Sequence, residues 1–341
     1  MGRRSGFPLA LAMALTLLAP AASARAAEPR PVTAAIYGGG PLYAGGTAVM
    51  DDLRGSGFTT VVAWTLHLGE AGDLNFNDQR IVAGGRYVGD PSWPARLAAL
   101  KRGGSVNRLT FSMGSAGVGD FHQLQALIQS GGTGPGSPLR RSFLALKQAI
   151  PAIDGFDLDD EDLLDSATTR SFSAMLGQLG FGVSFCPYDQ MDFWVECLHD
   201  LEATAPGLVT GFNLQCYAGG AWNEPRAWIR RIAERMGDSF DATGLVQPGL
   251  WSRHGEGCQD GDSPAQAAAR FGAWRPTGIR GGFVWLYDDI LHCRDQASPD
   301  CPWDAGAYAR AITGGLGEVG AAHGRLEEPG STLASGASQP D

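Results

Sequence analysis

The sequence predicts an α/β protein, a parallel eight-stranded (β/α)8 barrel in one domain. Three observations predict it. Short apolar runs bounded by glycine recur eight times along the chain. Amphipathic stretches separate most of them, and alternating strands and helices imply a parallel sheet. The 341 residues leave room for about 250 residues of barrel with insertions.

In chain order, the expected strands are Thr33–Tyr37, Thr60–Leu66, Leu109–Gly114, Gly155–Asp159, Val183–Pro187, Gly211–Tyr217, Gly244–Leu250 and Gly281–Tyr287. Several are rich in β-branched and aromatic residues, which favour a pleated, half-buried surface. The expected helices are Arg141–Ile150, Ser171–Leu179, Phe193–Thr204, Arg226–Met236, Pro264–Trp274 and Ala305–Ile312. In the first of them Phe143, Leu144, Leu146, Ala149 and Ile150 supply the apolar positions. Residues 67–92, with Asn75, Asn77, Asp78, Gly84, Gly85 and Gly89, read as a long loop after the second strand. Residues 131–138 read as another. An open doubly wound sheet is the rival architecture. It would want a glycine-rich phosphate turn, but Gly38-Gly39-Gly40 runs straight into Pro41 and lacks the later acid of a nucleotide fingerprint. That glycine run therefore reads as a loop. No repeat of fixed period is visible.

The ends of the chain read differently from its middle. Residues 1–27 look like a secretory signal: Arg3 and Arg4, an apolar run from Leu9 to Ala19, then the small residues Ala22-Ser23-Ala24. The run is shorter than the roughly 20 residues of a membrane span. Residues 28–326 hold the barrel, and 327–341 form a Ser/Gly/Pro/Ala-rich tail expected to be disordered. The product is expected outside the cytosol, extracellular or periplasmic. Its net charge is −10, and a cut after Ala24 leaves 24 basic against 36 acidic residues, −12. Such a surface disfavours nucleic acid and anionic membranes as partners and permits a neutral one such as a glycan. Nothing implies a cofactor, and a monomer is expected.

Six cysteines lie in the exported part, and outside the cytosol they can pair. Six allow 15 pairings. Cys258, Cys293 and Cys301 sit in Gly/Asp/Pro-rich segments, so a disulfide late in the chain is favoured. There is no Cys-x-x-Cys or His-x-His, so a zinc site has little support. His67 and the other histidines lack a partner at ligand spacing and read as incidental.

Residues 154–161, Asp-Gly-Phe-Asp-Leu-Asp-Asp-Glu, carry the chemistry. Alternation puts Asp157, Asp159 and Glu161 on one face, roughly 7 Å apart from step to step, with Phe156 and Leu158 opposite. Like charges at that spacing push at least one pKa up. A protonated carboxyl beside an ionised one is what general acid catalysis needs. The C-terminal ends of barrel strands form the active site of such folds. Besides the acids, those ends carry Ser112-Met113-Gly114-Ser115, Gln215-Cys216-Tyr217 and Trp285-Leu286-Tyr287-Asp288. Bland readings stand beside these. The acids from Asp157 to Asp165 could hold Ca²⁺ or cap a helix. Tyr217 and Trp285 could be core aromatics. Ser112 reads as packing, because no nucleophile elbow surrounds it. Asp154 reads as structural, and Asp160 and Asp162 as off the catalytic face. Asp288 and Asp289 stand at the mouth of the eighth strand, where Asp288 is placed in the substrate groove.

The octet resembles the Asp-Gly-x-Asp-x-Asp-x-Glu signature of family 18 of the glycoside hydrolases, the chitinases and endo-β-N-acetylglucosaminidases. Ser112-Met113-Gly114-Ser115 is similar to that family's Ser-x-Gly-Gly, with Ser115 departing from it. Gln215-Cys216-Tyr217 resembles the sixth-strand Gln-x-Tyr of plant-type chitinases, and Trp285 the eighth-strand tryptophan. The resemblance implies a (β/α)8 barrel and substrate-assisted retaining hydrolysis beside N-acetylglucosamine. It implies Glu161 as proton donor and Asp159 as the residue orienting the acetamido group. Asp157 would hydrogen-bond Asp159 and share its proton. Gln215, Tyr217, Trp285 and Asp288 would contact substrate. Chitin-type polymer and the chitobiose core of N-glycans are both open as substrates: Asp160 leans toward endo-β-N-acetylglucosaminidases, Gln215 and Tyr217 toward plant-type chitinases. A non-catalytic, glycan-binding barrel and a metal-dependent hydrolase remain as rivals.

Overall fold

The computed structural model describes residue 2 and residues 31–296 and 301–317. The expected signal segment and the expected tail therefore lie outside the described residues, apart from Gly2. Among the described residues no helix is long and apolar enough to cross a membrane.

Eleven strands form one sheet: β1 (Thr33–Gly38), β2 (Thr60–Leu68), β3 (Leu74–Phe76), β4 (Gln79–Ala83), β5 (Arg86–Tyr87), β6 (Arg108–Gly114), β7 (Gly155–Asp159), β8 (Gly182–Phe185), β9 (Val209–Gln215), β10 (Val246–Trp251) and β11 (Gly281–Trp285). Eight of them, β1, β2 and β6 to β11, pair in parallel, and β1 joins both β2 and β11, which closes the barrel. All eight expected strands are present, with ends moved by up to two residues. The six expected helices are present too, several beginning earlier than expected, as at Pro138–Ala149 and Ser166–Gln178.

Residues 67–92 are not a plain loop. β3, β4 and β5 extend the sheet from β2 as short antiparallel strands. They are two to five residues long, too short to show a period, and Asn77 and the Gly84-Gly85 pair make their turns at positive φ. Helices at Gly40–Ala44, Gly46–Gly55, Trp93–Leu100, Asp120–Gly131 and Tyr287–Asp295 were also unforeseen. The first two sit in a stretch where Gly39, Gly40, Gly45 and Gly46 argue against helix.

The main apolar layer lies between barrel and helices. Ala34 and Ile36 of β1 and Phe156 and Leu158 of β7 join Leu53, Phe143, Trp194, Trp228 and Phe271 from helices. A smaller cluster fills the barrel, where Ala35, Tyr37, Val62, Cys186 and Phe283 pack with Trp64, Tyr217 and Trp285. Burying Phe156 and Leu158 contributes roughly 1.5–3 kcal/mol each. It also fixes which way the acids face, because a one-residue slip would turn them into the helix layer. Gly249 is required by packing: a Cβ there would sit 1.9 Å from the Phe283 ring.

The favoured late disulfide is present, joining Cys258 to Cys293, with Cys301 packed against the pair.

Candidate active site

Asp157 points into the barrel and is fully buried. Four strands each supply it one donor. Tyr37 Oη lies at 2.7 Å, Ser112 Oγ at 3.1 Å, Ser184 Oγ at 2.6 Å and Asn213 Nδ2 at 2.8 Å. Burial pushes its pKa up, and the four hydrogen bonds pull it back. A carboxylate offers about four acceptor sites, so this one is saturated. Asp157 spends its hydrogen bonds on these four donors, and it acts on Asp159 through its charge.

β7 ends at Asp159, yet Glu161 still faces the same space. Asp160 explains this. Its side chain turns away from the cavity and accepts from the backbone N–H groups of Asp162 (3.2 Å), Leu163 (2.9 Å) and Leu164 (2.9 Å). The turn so formed carries Glu161 over the barrel mouth. Asp162 accepts from Gly117 and Gly119 and ties in the loop after β6. Asp165 caps the helix Ser166–Gln178 through Thr168. All three acids of this run are thus structural.

Gln215 joins Asp159 to Glu161. Its Nε2 donates to Asp159 Oδ1 at 2.9 Å and to Glu161 Oε1 at 3.1 Å. Burial raises Asp159 well above the carboxylate range, and the charges of Glu161 and Asp157 add to this. Burial also raises Glu161. Gln215 and Asp159 oppose that shift, while the charges of Asp162 and Asp189 reinforce it. Both carboxyls are thus pushed up, and they titrate as a unit.

Above them lies a cavity of about 560 Å³, lined among others by Asp159, Glu161, Gln215, Tyr217, Trp251 and Trp285. The rings of Tyr217 and Trp285 are stacked, 6.3 Å apart at 26°. Both line the cavity while packing on the barrel cluster, so each is at once core and wall. Six of the seven expected site residues meet here, with Asp157 beneath. Asp288 stands apart: its carboxylate accepts from the Gly39 backbone at 2.7 Å and binds the β1 loop to the end of β11. Its neighbour Asp289 accepts from Trp251 Nε1 at 2.8 Å.

Several residues escaped the sequence reading. Asn213 stands two positions before Gln215, so alternation alone could have placed both inside. Tyr37 and Ser184 likewise lie on inward positions of their strands. Tyr188, Asp189 and Trp251 lie in or beside loops and carried no such signal. Trp64 packs edge-on against Trp285 at 4.6 Å, and its buried indole N–H has no hydrogen-bond partner among the described residues. His67 is not incidental. Its Nδ1 lies 2.8 Å from Asp120 Oδ2, and Asp120 also accepts from the Leu68 backbone. That hydrogen bond, more than any other cause, raises the His67 pKa. Asp154, at the opposite end of β7, pairs with Lys101 at 2.7 Å and is structural.

Fold and site together define a class: a closed (β/α)8 barrel with a row of carboxyls under an aromatic-walled cleft at its C-terminal mouth. Solved chitinases share this barrel. A GH18 chitinase from Pseudoalteromonas aurantia aligns with 83% of this chain and 100% of its own, at 13% identity and a TM-score of 0.58. The catalytic domain of a hyperthermophilic chitinase from Pyrococcus furiosus covers 84% of this chain and 96% of its own, at 10% identity and 0.58. Catalytic domain 2 of an Ostrinia furnacalis Group II chitinase covers the same shares at 11% identity and 0.55. No family model and no curated protein matches the sequence.

Proposed function

We propose that the protein is a secreted, retaining glycoside hydrolase that cleaves β-1,4-linked N-acetylglucosamine, as a chitinase does, with Glu161 as general acid. The observation that carries this reading is the single Gln215 amide bonded to both Asp159 and Glu161 at the foot of an aromatic cavity. A half-buried Glu161 with a raised pKa beside the buried Asp159 at the mouth of a barrel is equipped to protonate a leaving oxygen. Export rests on the basic, apolar and small-residue succession of residues 1–27.

In this mechanism the apolar face of the sugar rests on Trp285, and Tyr217 flanks its acetamido group. Glu161 gives its proton to the glycosidic oxygen as the bond from that oxygen to C1 breaks. The substrate's own acetamido oxygen bonds to C1 from the other side. Asp159 orients that group and balances the positive charge it acquires. Asp157, fixed by its four donors, holds Asp159 in a negative field. Water then attacks C1 and gives a proton to Glu161 as the bond from C1 to the acetamido oxygen breaks, and the anomeric configuration is retained. The Pyrococcus furiosus chitinase with the same barrel has been solved with chito-oligosaccharides bound, which accords with a substrate of this kind.

Incubation with chitin oligomers and with a high-mannose glycopeptide, read by mass spectrometry, tests the proposal. Shortened oligomers beside an intact glycopeptide are expected. Failure to cleave either would sink it. The Glu161→Gln protein should lose about 10²–10⁴ in turnover while still binding oligosaccharide.

A further inference from the structure

The end of the barrel opposite the acids holds a cavity of about 210 Å³, where bulky branched side chains ordinarily pack the interior of such a barrel. Glycines leave it open. The inward positions near the starts of β7, β8, β9 and β11 are Gly155, Gly182, Gly211 and Gly281. Two long polar side chains take the room. A Cβ on Gly155 or Gly182 would lie 3.2 Å from Arg108 Nη2. One on Gly211 would lie 2.9 Å from Gln247 Nε2, and one on Gly281 3.0 Å from Gln247 Cγ. Arg108 and Gln247 line the cavity from β6 and β10, together with Thr60 of β2 and Thr110 of β6.

This lining is rich in donors and poor in partners. A guanidinium carries five N–H groups. Among the described residues that of Arg108 makes one hydrogen bond, to Thr210 Oγ1 at 2.9 Å. Thr110 is 3% exposed, yet its hydroxyl has no hydrogen-bond partner among the described residues. The Thr60 hydroxyl and the Gln247 amide have none there either. No carboxylate lines the cavity. Asp154, which precedes Gly155, is engaged by Lys101 at 2.7 Å and by the Leu109 backbone N–H at 2.7 Å. Asp157 stands behind Ser184 and Asn213, which line the cavity and donate to it.

A guanidinium binds oxygen anions through paired, charge-assisted hydrogen bonds. Further donors that converge from β2, β6 and β10 suit an anion whose oxygens point in several directions. We propose that this cavity is a binding site for a small tetrahedral oxoanion of the sulfate or phosphate kind. Arg108 is its charge partner, and Thr60, Thr110 and Gln247 are its further donors. The anion supplies the partner that the half-buried guanidinium lacks. It also ties three strands together at the start of the barrel, so its binding stabilises the fold by mass action. Neither Asp159 nor Glu161 lines this cavity, so the site works independently of the chemistry at the other mouth.

The test titrates sodium sulfate, sodium phosphate and sodium acetate separately into the protein by calorimetry, against sodium chloride at equal ionic strength. Sulfate and phosphate should each bind at one site and raise the melting temperature with concentration, and acetate should bind more weakly. The tighter of the first two identifies which the site takes. Sulfate stabilises many folds through its exclusion from their surfaces, so the rise that counts is the part lost in Arg108→Gln. That variant should bind either anion about tenfold more weakly or worse. Thr110→Val keeps the shape of the side chain and should weaken both about two- to tenfold. Thermal unfolding in chloride confirms that each variant is folded, and Thr110→Val carries the test should Arg108→Gln not fold. Absence of binding overturns the proposal, as does binding that the folded variants keep in full. Acetate bound as tightly as sulfate overturns the tetrahedral assignment.

Discussion

Gln215 acts on the charge state of both Asp159 and Glu161, because its one amide donates to each. Donation to a carboxylate favours the ionised form, so removing it raises both pKa values further. In the proposed mechanism Glu161 acts while protonated, so turnover falls as pH rises through its pKa. In Gln215→Leu the alkaline limb of the pH–rate profile should therefore move to higher pH, alongside a loss of rate from poorer positioning. Asp189→Asn removes a negative charge that raises Glu161 and should move the limb the other way. Two limbs that stay put would refute this account of the pair. Stability follows the same logic with its own sign. The folded-state pKa of Asp159 is raised well above that of the unfolded chain. The folded state then binds more protons above the ordinary carboxylate range, and Asp159 costs stability as pH rises through that window. Asp159→Asn should raise the melting temperature at neutral pH, while the gain disappears in acid and activity is lost. Thermal unfolding at the two pH values decides it.

Between the strands and the site stand short connecting segments, and these were the least legible part of the sequence. A strand such as β7 announces itself, since Phe156 and Leu158 alternate with acids and glycine precedes them. The turn after it does not, because Asp160 looks like one acid among several until its three backbone N–H partners are visible. The β3–β5 extension failed to show for a related reason: strands of two to five residues cannot display a period. Contacts between segments far apart in sequence, such as His67 with Asp120 or Gly39 with Asp288, have no local signature. Gly114 shows how tightly the connections are drawn. It adopts φ +100°, and a Cβ there would lie 2.4 Å from the Asp159 carbonyl oxygen. Gly114→Ala should cost about 1–3 kcal/mol through the backbone alone and cut turnover by displacing Asp159. Denaturant unfolding and steady-state kinetics would separate the two effects. Asp165→Ala should remove only the cap of the helix Ser166–Gln178. A stability loss of about 0.5–2 kcal/mol with unchanged KM is expected.

Across the whole molecule, the barrel closes through hydrogen bonds between its first and last strands, β1 and β11. Closure depends on the late segments staying in place, since β10 and β11 are the last two strands of the ring. The Cys258–Cys293 bond braces this stretch, spanning 35 residues that include β11 and the helix Pro264–Trp274. A cross-link over a loop of that length restricts the unfolded chain by about 3–4 kcal/mol in the chain-entropy account. Engineered removal of both cysteines, Cys258→Ala with Cys293→Ala, should therefore lower the unfolding free energy by about that amount. For a domain near this size each kcal/mol corresponds to roughly 2–4 °C, so the melting temperature should fall by about 10 °C. Mild reduction of the unaltered protein should produce the same drop and should have no effect on the double variant. A double variant that still loses stability on reduction would place the brace elsewhere in the molecule. A double variant that melts with the unaltered protein would mean that the strand pairing of β1 with β11 holds the ring closed unaided.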